Sequence, residues 1–265
     1  MRIAIVGYGR MGQLVEEVLP SRGHEAGLIV DPNLPATEAP NAPGEQRIKR
    51  ASQLSGDLLA GIDAAIEFSL ADAVVSNVEA YARAGVSAVI GTTGWLSELQ
   101  EVQQIAEQAS IAILYGSNFS IGANLFFRIA EQAAALMAPF DEYDLMIHEM
   151  HHSGKQDSPS GTAVTLAEKV IAKVPGKTRI ETGRLDRAPS PDELHVSSTR
   201  GGSVPGTHSL YLDSPADTIE IRHTARSRRG FALGAVRAAE WIAGHSGVFT
   251  VESFIDQMLK QRGTT

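Results

Sequence analysis

The stretch "IAIVGYGRMGQLVEEVLPSRGHEAGLIVD", residues 3 to 31, decides the fold. Four apolar residues, Ile3 to Val6, run straight into glycine. "MGQLVEEVLPS" then carries apolar residues at helical spacing, and "AGLIV" (26–30) is a second apolar run that stops at Asp31. Strand, helix and strand in that order predict a βαβ unit. Gly7, Gly9 and Gly12 at the first junction spell G-x-G-x-x-G. The pattern is weak alone. Here a strand precedes it, a helix follows it, and an acid lies nineteen positions beyond Gly12, which is the context of a dinucleotide site. Gly7 makes the turn, Gly9 lets backbone approach a pyrophosphate, Gly12 lets helix and strand pack closely, and the helix N-terminus holds the phosphates.

The alternation continues outward. "DAAIEFS" (63–69), "VSAVIGTT" (86–93) and "IAILYGSNFS" (111–120) are strand candidates, separated by the helical segments "ADAVVSNVEAYARAG" and "LSELQEVQQIAEQAS". This predicts a parallel sheet covered on both faces, with ligands at the carboxyl ends of its strands. Small or polar clusters follow each strand: the glycine loop, Asp31, Phe68-Ser69, Gly91-Thr92-Thr93-Gly94 and Gly116-Ser117-Asn118-Phe119. The proline-rich segment 31–47 reads as an exposed loop. From about residue 120 the pattern changes. A long amphipathic helix, "YDLMIHEM", a helix "GTAVTLAEKVIAKV" and three strand-like runs follow, "ELHVSSTRGG", "GTHSLYLDS" and "DTIEIRHTARS". Short turns join the three runs, so they are expected to be antiparallel neighbours. Helical patterns return at "FALGAVRAAEWIAG" and "VESFIDQMLKQ". The fold class is α/β: an N-terminal Rossmann-type parallel-sheet domain, residues 1–119 plus 230–265, with an inserted α+β domain, residues 120–229. A site between the two is expected.

With 265 residues, 43% apolar and 20% charged, the chain has an ordinary globular composition. It has no cysteine, which excludes disulfides, iron–sulfur clusters and thiolate-bound zinc. The first apolar run is four residues, short of the roughly 7–15 of a secretory segment, and no run approaches the roughly 20 of a membrane span. A cytoplasmic location is expected. The formal charge of −8 argues against a nucleic-acid partner.

"HEMHHSGKQDSPSGTA", residues 148 to 163, carries the chemistry. Its first five letters match H-E-x-x-H, which binds zinc only on a helix. "YDLMIHEM" instead alternates as a strand, with Tyr143, Leu145, Ile147 and Glu149 against Asp144, Met146 and His148. Residues four apart on a strand lie about 13 Å from each other, so His148 and His152 cannot share one ion, and no metal is expected. A proton-transfer site is the stronger reading. His151, His152 and Lys155 are expected on a loop. Ser158 or Ser160 would cap the next helix, with Pro159 near its first turn. The Gly161 and Thr162 N–H groups would be free donors for a carboxylate, and Lys155 adds a cation and an N–H acid. A solvated polar loop ahead of a capped helix is the bland alternative.

These residues carry a resemblance. "GYGRMG", "EFS", "GTTG", "SNFSIGAN", "EMHHSGKQDSPSGTA", "TRGGSVPGTH" and "IRHTARSRRGFALGAVRAAEW" stand in the order found in dihydrodipicolinate reductases. The match runs from residue 3 to about 243, and the HH-x-x-K-x-D-x-P-S-G-T block is its most specific part. The resemblance implies a Rossmann-type cofactor domain, a substrate-binding and tetramerisation domain, and reduction of a cyclic dicarboxylate to tetrahydrodipicolinate with NADH or NADPH. His151 matches the family's catalytic histidine and Lys155 its proton-donating lysine. His152, Gly161 and Thr162 match positions that hold substrate carboxylates, and Arg228 a basic position facing the substrate. Gly7, Tyr8, Gly9, Arg10, Met11, Gly12, Asp31, Gly91, Thr92, Thr93, Gly116, Ser117, Asn118 and Phe119 match the cofactor wall. One departure is that many members have a glycine loop one residue longer.

Asp31 is placed to accept hydrogen bonds from an adenine-ribose diol and would repel a 2′-phosphate. Pro32, Asn33 and Leu34 follow it, no basic residue comes before Arg47, and Arg10 is the one cation near in sequence. NADH is therefore expected to be preferred, with NADPH used less well. Another amino-acid-pathway dehydrogenase, such as an aspartate or homoserine dehydrogenase, would explain the first half but not the HH-x-x-K block. A catalytically silent NAD-binding sensor would explain neither His151 nor Lys155.

Overall fold

A computed structural model describes residues 1–34 and 48–261. Most of the loop expected over 31–47 lies outside the described residues. The chain divides into two compact units, Met1–Ile121 with Arg228–Thr265, and Gly122–Ser227.

The first unit contains β1 (Arg2–Val6), α1 (Arg10–Val18), β2 (Glu25–Val30), β3 (Lys49–Ala51), β4 (Ala64–Glu67), α2 (Val74–Ala84), β5 (Ser87–Ile90), α3 (Leu99–Ala109) and β6 (Ala112–Tyr115). After the second unit the chain adds α6 (Arg229–Ile242), β12 (Gly247–Thr250) and α7 (Val251–Gln261). Its strands form one parallel sheet in the order β12-β6-β5-β4-β1-β2-β3. The apolar runs are continuous because both faces are covered: Ile3, Ile5, Ile29, Ile66 and Ile113 are fully buried. Glycine allows two close approaches. A Cβ at Gly12 would stand 2.2 Å from the Gly7 carbonyl oxygen, and one at Gly234 would stand 1.7 Å from that of Phe119. The expected strands 26–30, 63–69, 86–93 and 111–120 are present in shorter form. The edge strands β3 and β12 lack a buried apolar run and were not legible.

The second unit contains α4 (Ile121–Met137), β7 (Asp144–His151), α5 (Gly161–Ile171), β8 (Arg179–Glu181), β9 (Glu193–Arg200), β10 (Thr207–Asp213) and β11 (Thr218–Thr224). The sheet order is β11-β10-β7-β9-β8. This corrects the expectation of three consecutive antiparallel neighbours. β10 and β11 do form that pair, but β9 and β10 do not touch. β7 lies between them, parallel to β9 and antiparallel to β10. β7 is the strand with an alternating buried face, and both its edges need partners. The connection from β9 to β10 crosses over its end, where Gly201 donates to the His151 carbonyl and the Val204 carbonyl accepts from His152. Leu145 and Ile147 pack with Phe126, Phe127, Leu166 and Val170 in one core.

Candidate active site

Two sites take shape, one in each unit. In the first, the strand ends build a cleft of about 800 Å³ lined by Gly7, Gly9, Asp31, Asn33, Phe68 and Ser69, among others. Gly7 has φ +88°, and a Cβ there would meet the Phe68 carbonyl at 2.2 Å, so only glycine fits. Gly9 has no atom within 4 Å of a Cβ position, leaving open space over the start of α1. Gly7 and Gly12 are thus closed by protein and Gly9 is open, the division of labour a pyrophosphate-binding turn needs. Tyr8 donates its N–H to Asp31 Oδ2 at 2.8 Å, and Asn33 donates N–H to Oδ1 at 2.9 Å. Burial pushes the Asp31 carboxyl up, but these N–H bonds outweigh it and leave it below its usual range. Arg10 is exposed at the first position of α1, with Met11 beside it.

The end of β4 organises this cleft, which the sequence reading did not anticipate. Glu67 is fully buried and accepts from Ser69 Oγ at 2.5 Å, Asn77 Nδ2 at 2.8 Å and the Tyr81 hydroxyl at 2.8 Å. Burial raises its pKa to about 7 against those hydrogen bonds. The Phe68 ring fills the space a Cβ at Gly91 would take, 2.1 Å away. Ser69 N–H donates to Thr92 Oγ1 at 2.8 Å, so the Thr92 hydroxyl is held inside while Thr93 is exposed. Of the run Gly116, Ser117, Asn118 and Phe119, Ser117 is exposed and Phe119 is buried, edge-on to Phe68. Phe119 can therefore offer a ligand only its backbone. Arg228 is exposed at the N-terminal cap of α6, where the chain re-enters the first unit.

The second site gathers at the end of β7. His151 is the last residue of that strand, not part of a loop as expected, and it shares the buried face with Leu145, Ile147 and Glu149. Glu149 is fully buried. Its Oε1 accepts from Arg200 Nη2 at 2.6 Å and from the Ser160 N–H at 3.2 Å. Its Oε2 stands 2.6 Å from His151 Nδ1, off the ring's N–H line, so neither atom completes a hydrogen bond. Burial pushes the Glu149 carboxyl up, but hydrogen bonds, that from Arg200 foremost, bring it down to about 2. His151 is 7% exposed. Burial lowers its pKa, the Glu149 charge opposes that, and Lys155 and Arg200 add to it. The ring edges onto His208 with centroids 5.1 Å apart. A Cβ at Gly206 would stand 2.9 Å from His151 Nε2, which accounts for glycine in "VPGTH". His208 is bound to Ser160 Oγ at 3.1 Å, and burial, then His151, lowers its pKa to about 4.

Ser160 is the N-cap of α5 and accepts from the Ala163 N–H at 3.2 Å. Of the two expected caps Ser160 is the one used, and Pro159 stands immediately before it. Asp157 is bound by Lys155 Nζ at 2.7 and 2.9 Å, and that bond, with a smaller part from the nearby Gly161 N–H, holds its carboxyl below the usual range. Gly161 is exposed, and Thr162 and His152 are half-buried. His148 lies on the opposite face of β7 from Glu149, bound to Ser197 Oγ at 3.0 Å. Glu149, His151 and His208 offer possible ligand atoms within 4.8 Å of one another. The guanidinium 2.6 Å from the same carboxylate already supplies the countercharge, and a dication there would meet it as a like charge. The sequence reading missed Glu149 and Arg200, although strand alternation had put Glu149 on the apolar face.

A glycine-turn cleft on a parallel sheet, with a buried carboxylate–histidine cluster and a lysine in a second unit, defines a two-domain α/β oxidoreductase that uses a pyridine nucleotide. The dihydrodipicolinate reductase models match both halves, the N-terminal one over residues 1–119 and the C-terminal one over 122–255. The chain belongs to the dihydrodipicolinate reductase family. It is 36% identical to the 4-hydroxy-tetrahydrodipicolinate reductase of Christiangramia forsetii over 260 residues, 98% of this chain and 100% of that one. It is 38% identical to the protein of that name from Archaeoglobus fulgidus over 269 residues, covering 97% and 100%. The dipicolinate-bound dihydrodipicolinate reductase from Paenisporosarcina sp. TG-14 shares its fold, with TM-score 0.75 and 24% identity over 94% of this chain and 97% of that one.

Proposed function

We propose that this chain reduces 4-hydroxy-tetrahydrodipicolinate to tetrahydrodipicolinate in diaminopimelate and lysine biosynthesis, using NADH by preference and NADPH less well. The observation that carries the reading is that both halves of the chain match the family end to end while the HH-x-x-K-x-D-x-P-S-G-T block gathers around one buried cluster. The bound nicotinamide supplies the hydride. His152, Gly161 and Thr162 hold the substrate carboxylates, with Arg228 as a further basic group. Lys155 Nζ leaves Asp157, faces the negative charge that develops on the substrate and delivers a proton. The Glu149 carboxylate favours the proton on His151 Nδ1, so Nε2 is the atom that accepts and returns a proton. A dianionic substrate raises the proton affinity of that imidazole, against the effect of burial. Gly7, Tyr8, Gly9, Arg10, Met11, Gly12 and Asp31 hold the nucleotide, with Gly91 to Thr93 and Gly116 to Phe119 along its path. In a direct test, the cyclic substrate is added to purified protein with NADH and the loss of nicotinamide absorbance is followed. Turnover of aspartate or homoserine instead would favour the alternative dehydrogenase, and no turnover of any would favour a silent sensor.

The protein acts as a homotetramer joined through its second unit. Support comes from the face of that sheet opposite α4 and α5. Met146 is 41% exposed there, Tyr211 pairs with it, and β11 is an edge strand with most of its residues exposed. An uncovered face and edge of that kind call for a partner. Among the described residues no helix is long and apolar enough to cross a membrane. The reaction belongs in the cytoplasm, where reduced pyridine nucleotides are held.

A further inference from the structure

We propose that Arg50 binds the 2′-phosphate of NADPH and is the residue that makes this second cofactor usable. The inference rests on reading the first unit as a dinucleotide site. Arg50 stands nineteen positions beyond Asp31 in sequence, yet the sheet brings the two together. β3 runs parallel to β2 with Ile29 opposite Arg50 and Val30 opposite Ala51, and the Asp31 N–H continues the ladder to the Ala51 carbonyl at 3.0 Å. Strand alternation then points Arg50, Ile29 and Asp31 to one face of the sheet. It is the α1 face: Ile29 is opposite Ile5, whose side chain lies 3.2 Å from a Cβ position on Gly12.

Tyr8 joins the two charges. Its N–H donates to Asp31 Oδ2 at 2.8 Å, and the Arg50 guanidinium carbon sits 5.9 Å from its ring centroid. Asp31 lines the cleft with Asn33, Ser52 and Gln53, and Tyr8 links Arg50 to that carboxylate from beside it. The Arg50 Nε is buried and has no hydrogen-bond partner among the described residues. With Nε closed off, the two terminal nitrogens of this half-buried guanidinium, steadied over an aromatic ring, are the donors that can engage a phosphate through parallel N–H bonds. Asp31 keeps its charge because Tyr8 and Asn33 donate to it. A ribose diol suits that carboxylate, and a 2′-phosphate needs a cation on the same side to offset it. Arg10, exposed on α1, has no such support.

Dissociation constants for NADH, NADPH, 5′-AMP and adenosine 2′,5′-bisphosphate, measured at one ionic strength on wild type, Arg50→Gln, Arg50→Lys and Arg10→Gln, test this. Arg50→Gln is expected to weaken NADPH and the bisphosphate tenfold or more, while NADH and 5′-AMP change less than threefold. Arg50→Lys should retain part of the NADPH binding. NADH binding by each variant also reports that the site is folded. Equal NADPH binding in Arg50→Gln and wild type, or a loss confined to Arg10→Gln, would overturn the assignment. Wild-type protein that binds none of the four would instead overturn the dinucleotide reading beneath it.

Discussion

Glu149→Gln is the sharpest perturbation of the second site. The side chain keeps its size and one carbonyl oxygen, so Arg200 and the Ser160 N–H keep an acceptor. What it loses is the charge and the oxygen facing His151. The depression of the Glu149 pKa from 4.5 to about 2, at about 1.4 kcal/mol per pKa unit, makes the anion worth on the order of 3 kcal/mol. Breaking a buried ion pair independently predicts about 3–5 kcal/mol. Because the folded pKa lies below the unfolded one, this stability is full above about pH 4.5 and is lost as pH falls toward about 2. The neutral variant lacks it at every pH in that range and above. Thermal unfolding at pH 7 should fall by several degrees. The amide can also donate to His151 Nδ1, which moves the imidazole proton to Nε2. Turnover should drop by about 10–10²-fold, the range for a misplaced proton-transfer group. Without the carboxylate that raises it, the His151 pKa falls further. The limb it contributes to the pH profile of kcat/KM should move to lower pH. NADH affinity, measured by fluorescence titration, should not change, since Glu149 belongs to the second unit. A variant with wild-type turnover and an unmoved pH profile would refute the positioning role. A variant that merely melts earlier would show Glu149 to be structural only.

Other outcomes follow from the same geometry. His151→Ala and Lys155→Ala should each lower kcat by roughly 10²-fold or more, and the double variant should fall well short of the product; near-normal turnover in either single variant removes it from the chemistry. Thr162→Val and His152→Ala should chiefly raise the substrate KM, and an unchanged KM in both contradicts the carboxylate cradle. Activity should survive prolonged EDTA treatment, with no stoichiometric zinc by elemental analysis; loss of activity restored by zinc would revive the metal reading. Sedimentation at micromolar concentration should give a tetramer, and a monomer would refute the role given to the second sheet.

The first unit was largely legible in the sequence because both of its signals are local. Continuous apolar runs such as Ile3 to Val6 mark strands buried on two faces, and the glycines mark the places where backbone meets backbone. β3 escaped because "KRA" has no such run, and with it escaped Arg50, whose place beside Asp31 is a fact of strand pairing. In the second unit the alternation of β7 was read correctly, and it held an unused message. Glu149 falls in step with Leu145 and Ile147, and a carboxylate on a buried face must find a partner. That partner, Arg200, lies fifty-one residues on and arrives only because β9 runs parallel to β7. The short β9–β10 connection has the length of a hairpin, so loop length pointed to the wrong neighbour.

The two ion pairs at the end of β7 differ in how readily they exchange. Glu149 with Arg200 is buried, at 0% and 18% side-chain exposure. Separating the two leaves a charge without solvent or partner, at the few kcal/mol argued above, so the pair stays fixed while substrate comes and goes. Lys155 with Asp157 is open, at 22% and 57%, and pairs of that kind contribute about 0–1 kcal/mol. An incoming carboxylate can replace Asp157 on Lys155 at little net cost, because it offers the same charge to the same donor. The buried pair therefore sets the position of His151, and the exposed pair keeps Lys155 within reach without holding it. For the proposed reaction this division matters: an acid that gives its proton to a substrate, the role proposed for Lys155, has to be near its site and weakly engaged, whereas an imidazole whose tautomer matters, the role proposed for His151, has to be held fixed.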